Sequence, residues 1–202
     1  MILWVIGVFI SESGDASRDD ETAEGTLDWF TRNETEITAG EITFVFGVLL
    51  FIWFLGSLRS ALAAREPNAH LTTIGYASGM LAALGMIIQA AVLIQPSFVD
   101  DGELSAEAAQ TLSVLSDAMF GVVELTLAVA LFAFGLAFLR TGVLPKWLGW
   151  ATLVLAVILL IIPIGWIGVI FLMPLWVLVT SVLLYLRPAG EPAPTGPPTA
   201  QL

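Results

Sequence analysis

Apolar blocks of bilayer length constrain this chain more than any other feature of its sequence. A helix needs about 20 apolar residues to cross the hydrocarbon core of a membrane. Residues 42–62, 71–94 and 118–139 each reach that length, and a final block at 147–186 is about twice as long. Of all residues 57% are apolar and 12% are charged, against roughly 25% charged in soluble chains. The sequence therefore predicts an all-α integral membrane protein.

The final block is too long for one crossing and has to fold back on itself. Pro163 and Gly165 mark the turn, because proline and glycine interrupt a helix. The two arms are then residues 147–162 and 166–186. The first arm is short, so a re-entrant segment is the alternative to a full crossing. With both arms spanning, the sequence predicts a polytopic transmembrane helix bundle over residues 41–187 with five full spans.

The first ten residues, MILWVIGVFI, form a shorter apolar block. At a rise of about 1.5 Å per residue they reach only halfway across a bilayer. They fit the second half of a span that begins upstream, an interfacial anchor or an uncleaved degenerate signal. We favour the first interpretation. It predicts a partial N-terminal membrane helix at residues 1–10 and a start codon upstream of Met1.

Charge alternates between the connections of the predicted spans. Ten acidic residues lie between residues 11 and 41, and residues 95–117 hold five acidic residues and no basic one. Most basic residues fall in the other connections and after the last span: Arg59, Arg65, Arg140, Lys146 and Arg187. Short loops rich in lysine and arginine stay in the cytoplasm. The sequence therefore predicts a plasma-membrane protein with a cytoplasmic C-terminus and acidic extracytoplasmic loops at 11–40 and 95–117.

Two segments outside the spans have recognisable patterns. Leu27, Trp29 and Phe30 stand among acidic residues in 26–37, which is typical of a short helix on the membrane surface. A solvated acidic face is the plain interpretation of the rest of this loop, and a cation or partner site is the alternative. Residues 188–202 are rich in proline and cannot bury a core, so they are predicted to be a disordered cytoplasmic tail.

Scarce residue types exclude several kinds of chemistry. The chain has no cysteine, and His70 is its one histidine, so thiolate and histidine-cluster metal sites are excluded. The phosphate-loop, G-x-S-x-G and H-E-x-x-H motifs are absent from the sequence. A net charge of −11 with seven basic residues argues against nucleic-acid binding. We therefore expect no metal, no cofactor and no catalytic residue, and a protein that is not an enzyme.

Two sets of residues predict helix packing. Small residues recur every four positions in the second full span, at Gly75, Gly79 and Ala83, and this spacing forms a groove that lets another helix approach closely. The groove fits packing within the bundle, and it also fits self-association or docking to another membrane protein. Trp53 and Trp176 lie deep in their spans and are predicted to be packing residues.

The third full span carries a small or polar face. Its members recur at helical spacing: Ser113, Asp117, Gly121, Glu124 and Ala128. Glu124 lies about two turns below the predicted boundary, where a carboxylate is costly and an ionisable group marks a function by default. The plain alternative is a neutral glutamic acid that holds two helices together. Gln89 lies at a similar counted depth, so we predict a hydrogen bond between Glu124 and Gln89. Glu124, Gln89, Asp117 and Ser113 are the candidate binding residues, and Gly121 joins the packing set.

Three sequence segments carry a resemblance to a known group. They are FIWFLGSLR at residues 51–59, RTGVLPKWLGW at 140–150 and PLWVLV at 174–179. From its start to about residue 187 the chain resembles small multi-pass membrane proteins that are common in actinobacteria. Members of that group begin with a complete apolar helix and an acidic outer loop that ends like residues 33–37. This chain departs by starting ten residues before the loop. The resemblance implies the fold but transfers no activity and no site residue.

The function that we expect from these patterns is non-catalytic packing or assembly within a membrane complex, with another membrane protein or a second copy as partner. Its support is the small-residue groove and the lack of a catalytic constellation. The alternative is a small transporter, or a protein that binds a proton, a cation or a lipophilic ligand, using the polar face around Glu124.

Overall fold

We describe the fold from a computed structural model, which describes residues 2–14, 22–99 and 104–186. Within these ranges the chain is helical and contains no strand. The helices in chain order are α1 Ile2–Ser11, α2 Ala23–Arg32, α3 Glu34–Ala63, α4 His70–Ile94, α5 Ala106–Thr141, α6 Lys146–Leu159, α7 Ile162–Ile167 and α8 Met173–Tyr185. A 3-10 turn at Gln95–Phe98 extends α4, and a π-helical turn at Gly168–Leu172 joins α7 to α8. The predicted all-α class is confirmed.

Four helical segments in the described ranges are long and apolar enough to cross a membrane: Glu34–Ala63, His70–Phe98, Ala106–Thr141 and Gly165–Tyr185. Helix α6 has 14 residues and rises only about 21 Å at 1.5 Å per residue. It ends early because Pro163 interrupts the backbone hydrogen bonding and the last N–H groups turn back to carbonyls three residues earlier, at Leu160 and Ile161. The prediction of five full spans is therefore not confirmed.

Helix α3 is the long central element, and its buried side chains follow a heptad spacing. They recur at alternating steps of four and three residues: Ile37, Glu41, Phe44, Val48, Phe51, Leu55, Leu58 and Leu62. This spacing places them in one stripe that faces α1 and α4. The opposite face carries exposed apolar side chains such as Phe46 and Leu50. An apolar outer face suits a helix that is surrounded by lipid.

Helix α1 packs antiparallel against α3 at backbone contact distance. A Cβ atom added to Gly7 would lie 2.5 Å from the backbone nitrogen of Phe44 and 2.7 Å from the carbonyl oxygen of Gly40. Only glycine permits so close an approach of two main chains. The indole of Trp4 is thereby fully buried, edge-on to the rings of Phe44 and Phe51 at centroid distances of 5.2 and 5.8 Å. The residues of the predicted partial helix are thus helical, and the upstream start stays a prediction.

Helices α4 and α5 form the largest interface of the bundle. A Cβ on Gly75 would lie 2.8 Å from the ring of Phe134, and one on Gly79 would lie 2.9 Å from a methyl carbon of Leu55. Phe134 belongs to α5 and Leu55 to α3, and Ala83 of α4 is fully buried. Side chains of this bundle therefore fill the small-residue groove of α4. This agrees with the first of the two predicted roles, packing within the bundle.

Helices α6 and α8 close the bundle at the end that holds Arg59, Arg140 and Lys146, which we name the basic end. Trp176 of α8 donates from Nε1 to the Thr152 hydroxyl of α6 at 2.8 Å, and the indole is 5% exposed. The prediction that Trp176 is a packing residue is confirmed. Trp53 is instead 80% exposed, so its assignment to the core is wrong. It lies outside the heptad stripe of α3, and depth along a helix does not decide which side a residue faces.

The opposite end, which we name the acidic end, is covered by α2. Thr22 caps this helix, because its hydroxyl oxygen accepts from the Gly25 N–H at 3.0 Å. Trp29 and Phe30 are buried under α2 in a small cluster with Ala109 of α5. The predicted surface helix over 26–37 is thus two elements, because α2 ends at Arg32 and α3 begins at Glu34.

Several sequence predictions fall outside the described residues. They concern Met1, the acidic segments 15–21 and 100–103, Arg187 and the proline-rich tail at 188–202.

Candidate functional site

A cavity of about 270 Å³ lies at the acidic end, where α1, α3, α4, α5 and the π-helical turn meet. We name it the acidic pocket. Its polar lining residues are Ser11, Glu12, Glu41, Gln89, Ser116 and Asp117. Its aromatic lining residues are Trp4, Phe44 and Phe120. Among the described residues that line the cavity none is basic. The pocket is therefore partly apolar and carries negative charge.

Glu41 is the central charged residue of the acidic pocket. It is 8% exposed and lies in the heptad stripe of α3, where every other member is apolar. Two residues at the end of α1 interact with its carboxyl group across the α1–α3 contact. The charge of Glu12 repels a charge on Glu41, and the Ser11 side chain hydrogen-bonds to the Glu41 carboxyl group. The glycines of that contact hold α1 close enough for the two glutamates to share the pocket. Two carboxyl groups held together favour a proton or a cation between them.

Trp4 lines the same pocket and carries an unsatisfied donor. Its Nε1 is buried and has no hydrogen-bond partner among the described residues. A buried N–H without an acceptor costs roughly 1–3 kcal/mol, so such a group calls for an explanation that the described side chains do not supply.

Gln89 lies in the acidic pocket, and its partner there is Ser116. The Nε2 atom of Gln89 donates to the Ser116 hydroxyl oxygen at 3.5 Å. The predicted hydrogen bond between Gln89 and Glu124 is wrong. A Cβ on Gly85 would lie 2.9 Å from Val123, and this contact fixes the antiparallel register of α4 and α5. Gln89 is one turn beyond Gly85, so it lies about 6 Å nearer the acidic end than the level of Val123 and Glu124. The counted depths assumed that the third span begins at residue 118. Helix α5 begins twelve residues earlier, at Ala106, so the count missed this offset.

Glu124 lies inside the bundle but does not line the acidic pocket. Its side chain is 6% exposed, and a Cβ on Gly165 of α7 would lie 2.5 Å from Oε1. Any larger residue at position 165 would collide with the carboxyl group. Gly165, which marked a turn in the sequence, therefore also makes room for Glu124. Neighbouring Val123 does line the acidic pocket, but the Glu124 carboxyl group faces Gly165 instead.

The predicted polar face of α5 agrees only in part with the observed buried face. Ser113, Glu124 and Ala128 are buried, whereas Asp117 and Gly121 are exposed. A Cβ on Gly121 would meet nothing within 4 Å, so its assignment to helix packing is wrong. The buried face also includes Ser116 and Val123, which were not among the predicted members. Two successive steps of four residues, from Ser113 to Gly121, turn about 80° around the helix and leave a stripe that alternates steps of three and four.

Sequence reasoning missed Glu12, Glu41, Trp4 and Ser116. Glu41 stands one residue before the apolar block at 42–62, so it was counted with the acidic residues of 11–41 and not among the candidate binding residues. The heptad spacing contained the missing signal, because Ile37, Glu41 and Phe44 fall on the same stripe as the apolar residues that follow. The partners of Glu41 on α1 depend on the fold, and no spacing in the sequence indicates them.

The acidic pocket offers groups that can bind a ligand. In the part of the chain that the structure describes, no group of three or more histidine, cysteine, aspartate or glutamate side chains is arranged to hold a metal ion. Carboxyl, amide and hydroxyl groups surround an aromatic wall, which is the usual composition of a site for a small organic molecule.

Comparison with known proteins adds no further assignment: no family model, no curated protein and no solved structure matches the chain.

Proposed function

We propose that this protein is a non-catalytic membrane protein that binds a small organic cation in the acidic pocket. The observation that carries the proposal is the burial of Glu41 beside Glu12 at a cavity whose described lining holds no basic side chain. A buried carboxylate without a counter-charge is unfavourable. A cation in the cavity would supply that charge and would be attracted to the pocket more strongly than a neutral or anionic molecule.

The aromatic lining supports a cation that is partly apolar. Trp4, Phe44 and Phe120 form one part of the wall, and the face of an aromatic ring attracts a cation within about 6 Å of its centroid. The Gln89 amide has a second N–H beside the one that it donates to Ser116, and this donor favours a ligand that also carries an acceptor oxygen. The ligand class is thus an amine with a short apolar body. The binding role predicted for the polar face around Glu124 falls instead on Glu41.

The membrane arrangement that we propose follows from charge and helix length. The acidic end faces outward and the basic end faces the cytoplasm of the plasma membrane. Helices α3, α4 and α5 cross completely. Helix α6 enters from the basic end and turns back at the level of Glu124, as a re-entrant arm, so that α8 returns to the basic end. The acidic pocket then opens toward the outside of the cell.

Assembly with a membrane partner or a second copy stays a prediction, as does the resemblance to small actinobacterial membrane proteins. The groove on α4 no longer supports assembly, because Phe134 and Leu55 occupy it.

Calorimetric titration of the purified protein in mild detergent tests the binding proposal. The probe is phenethylammonium, and phenylacetate, which is similar in size and opposite in charge, is the comparison. We expect phenethylammonium to bind and phenylacetate not to bind. Glu41→Gln should weaken phenethylammonium binding at least about tenfold, which is about 1.4 kcal/mol.

Glu34→Gln is the matched control, because Glu34 is an exposed carboxylate in the first turn of the same helix. It should change the affinity for phenethylammonium less than about twofold, since an exposed charge is screened. Equal binding of the two probes, or an equal loss in Glu34→Gln and Glu41→Gln, would contradict the proposal.

A further inference from the structure

A second groove lies at the basic end of α3 and carries different chemistry from the acidic pocket. Its volume is about 450 Å³, and we name it the basic groove. It is lined by one side of α3 and one residue of α4: Trp53, Gly56, Ser57, Arg59, Ser60 and Tyr76. A Cβ on Gly56 would meet nothing within 4 Å. The absence of a side chain at Gly56 therefore leaves open space between Trp53 and Ser60.

Arg59 is the one charged group of this lining. Its guanidinium carbon lies 5.3 Å from the centroid of the Tyr76 ring, so the ring holds the cation at the groove by a cation–π contact. Over residues 2–14, 22–99 and 104–186, no carboxylate forms an ion pair with Arg59. A guanidinium matches phosphate by bidentate hydrogen bonding. The groove thus presents an uncompensated phosphate-binding group near the end of a helix long enough to span a membrane.

The two serines of the groove present acceptors. Ser57 donates to the Trp53 carbonyl oxygen at 3.2 Å, and Ser60 donates to the Gly56 carbonyl oxygen at 3.0 Å. Because each hydroxyl has one proton and that proton is used, the two oxygens are left to accept. A ligand that suits them carries a donor, such as a hydroxyl group.

Trp53 connects the polar part of the groove to the apolar outside of the bundle. The indole is 80% exposed, and the exposed side chains Leu49 and Leu50 continue the apolar face one turn away. A water-soluble phosphate compound would gain nothing from this face. A lipid would lay an acyl chain along it, and tryptophan is enriched where chain and headgroup meet.

We infer that the basic groove binds one anionic glycerophospholipid whose headgroup carries hydroxyls, as phosphatidylglycerol does. The phosphate contacts Arg59, the headgroup hydroxyls donate to Ser57 and Ser60, and an acyl chain lies over Trp53. Phosphatidylcholine fits less well, because its quaternary ammonium has no donor for the serines and is repelled by Arg59. The site is independent of the acidic pocket and of the cation proposed there.

Native mass spectrometry of the purified full chain in detergent, titrated with single lipids, tests the inference. We expect phosphatidylglycerol to bind about tenfold more tightly than phosphatidylcholine. Arg59→Gln should remove that preference. Arg65→Gln, which deletes an exposed charge in the connection that follows α3, should retain it. Melting temperature of each variant in detergent checks that both fold. A wild-type protein that binds the two lipids equally, or an Arg65→Gln variant that loses as much preference as Arg59→Gln, would overturn the site.

Two further arms identify the headgroup and its source. Phosphatidylmethanol has the same charge as phosphatidylglycerol without the hydroxyls, and it should bind the wild-type protein several-fold more weakly. The double variant Ser57→Ala, Ser60→Ala should bind both lipids equally and still above phosphatidylcholine. An unchanged discrimination in that variant would remove the serines from the site. Glycerol 3-phosphate at millimolar concentration should not displace the lipid, and displacement would show that the groove binds soluble phosphate compounds instead.

Discussion

The glycines of α1 and α3 meet their neighbours differently from the glycines of α4. Between α1 and α3, Gly7 and Gly40 bring main chain against main chain. Between α4 and its neighbours, Gly75 and Gly79 receive the side chains of Phe134 and Leu55. A main chain can move aside only if its helix moves, whereas a side chain can rotate or shift by a few tenths of an ångström. The same residue type should therefore tolerate substitution differently at the two interfaces.

Gly40→Ala should have the largest effect, because the new methyl group would meet backbone atoms of Ser11 and Gly7. Neither atom can move without separating α1 from α3, and overpacking of this kind costs about 3 kcal/mol. Trp4 should lose its burial, so its fluorescence should shift to the red. Chemical unfolding in detergent measures the loss. Gly56→Ala in the same helix, which meets open space, is the control, and equal destabilisation of the two variants would erase the distinction.

Gly75→Ala should cost less, about 1–2 kcal/mol, because the new methyl group meets the Phe134 ring at 2.8–3.0 Å. The ring is 1% exposed, so it can shift only against its buried neighbours. Phe134→Leu should recover part of the loss when it is added to Gly75→Ala. The coupling in this double-mutant cycle is the measurement. Simple additivity of the two substitutions would place the strain in the main chain, as at Gly40.

Glu66→Gln tests the start of α4 separately from its glycines. The carboxylate accepts from the N–H groups of Leu71 and Thr72 at 2.8 and 2.9 Å and from the Thr72 hydroxyl. Burial alone would raise the pKa of Glu66, but these hydrogen bonds outweigh it and lower the pKa. Loss of the charged acceptor should cost about 1 kcal/mol at pH 7.

The pH dependence of the Glu66 contribution follows from the lowered pKa. The contribution is fully present above the unfolded-state pKa of about 4.3 and is lost as the pH falls through the folded-state value. Melting temperatures of the wild type and of Glu66→Gln should therefore differ at pH 7 and converge in acid, once the pH is below the lowered pKa of Glu66 in the folded state. A difference that persists unchanged in acid would show that the hydrogen bonds do not depend on the charge.

Gly121→Ala should have the smallest effect and the opposite sign. No atom lies within 4 Å of the added methyl group, and alanine favours a helix over glycine by up to about 1 kcal/mol. The variant should melt at a slightly higher temperature than the wild type. A destabilised Gly121→Ala would mean that another molecule covers this position, which would revive the predicted packing role.

The class of the fold follows from apolar block length, which needs no knowledge of neighbours. The acidic pocket could not be predicted, because it depends on two quantities that block length does not contain. One is the rotation of each helix, which decides that Ser116 faces inward and Asp117 is exposed. The other is the register between helices, which pairs Gln89 with Ser116 and brings Glu12 to Glu41. Gln89 and Asp117 were predicted as binding residues and do line the pocket, and Glu41 was within reach through the heptad spacing that it shares with Ile37.

The π-helical turn at Gly168–Leu172 sets the direction in which two distant side chains face. Gly165 and Trp176 are eleven residues apart, and in an uninterrupted α-helix they would point to nearly the same side. One extra residue in a turn rotates the preceding segment by about 100°. The same helix can therefore present Gly165 to Glu124 and Trp176 to Thr152. Deleting a single residue here would swing a bulkier side chain onto the Glu124 carboxyl group. The packing of the bundle therefore depends on the length of this segment more than on its composition.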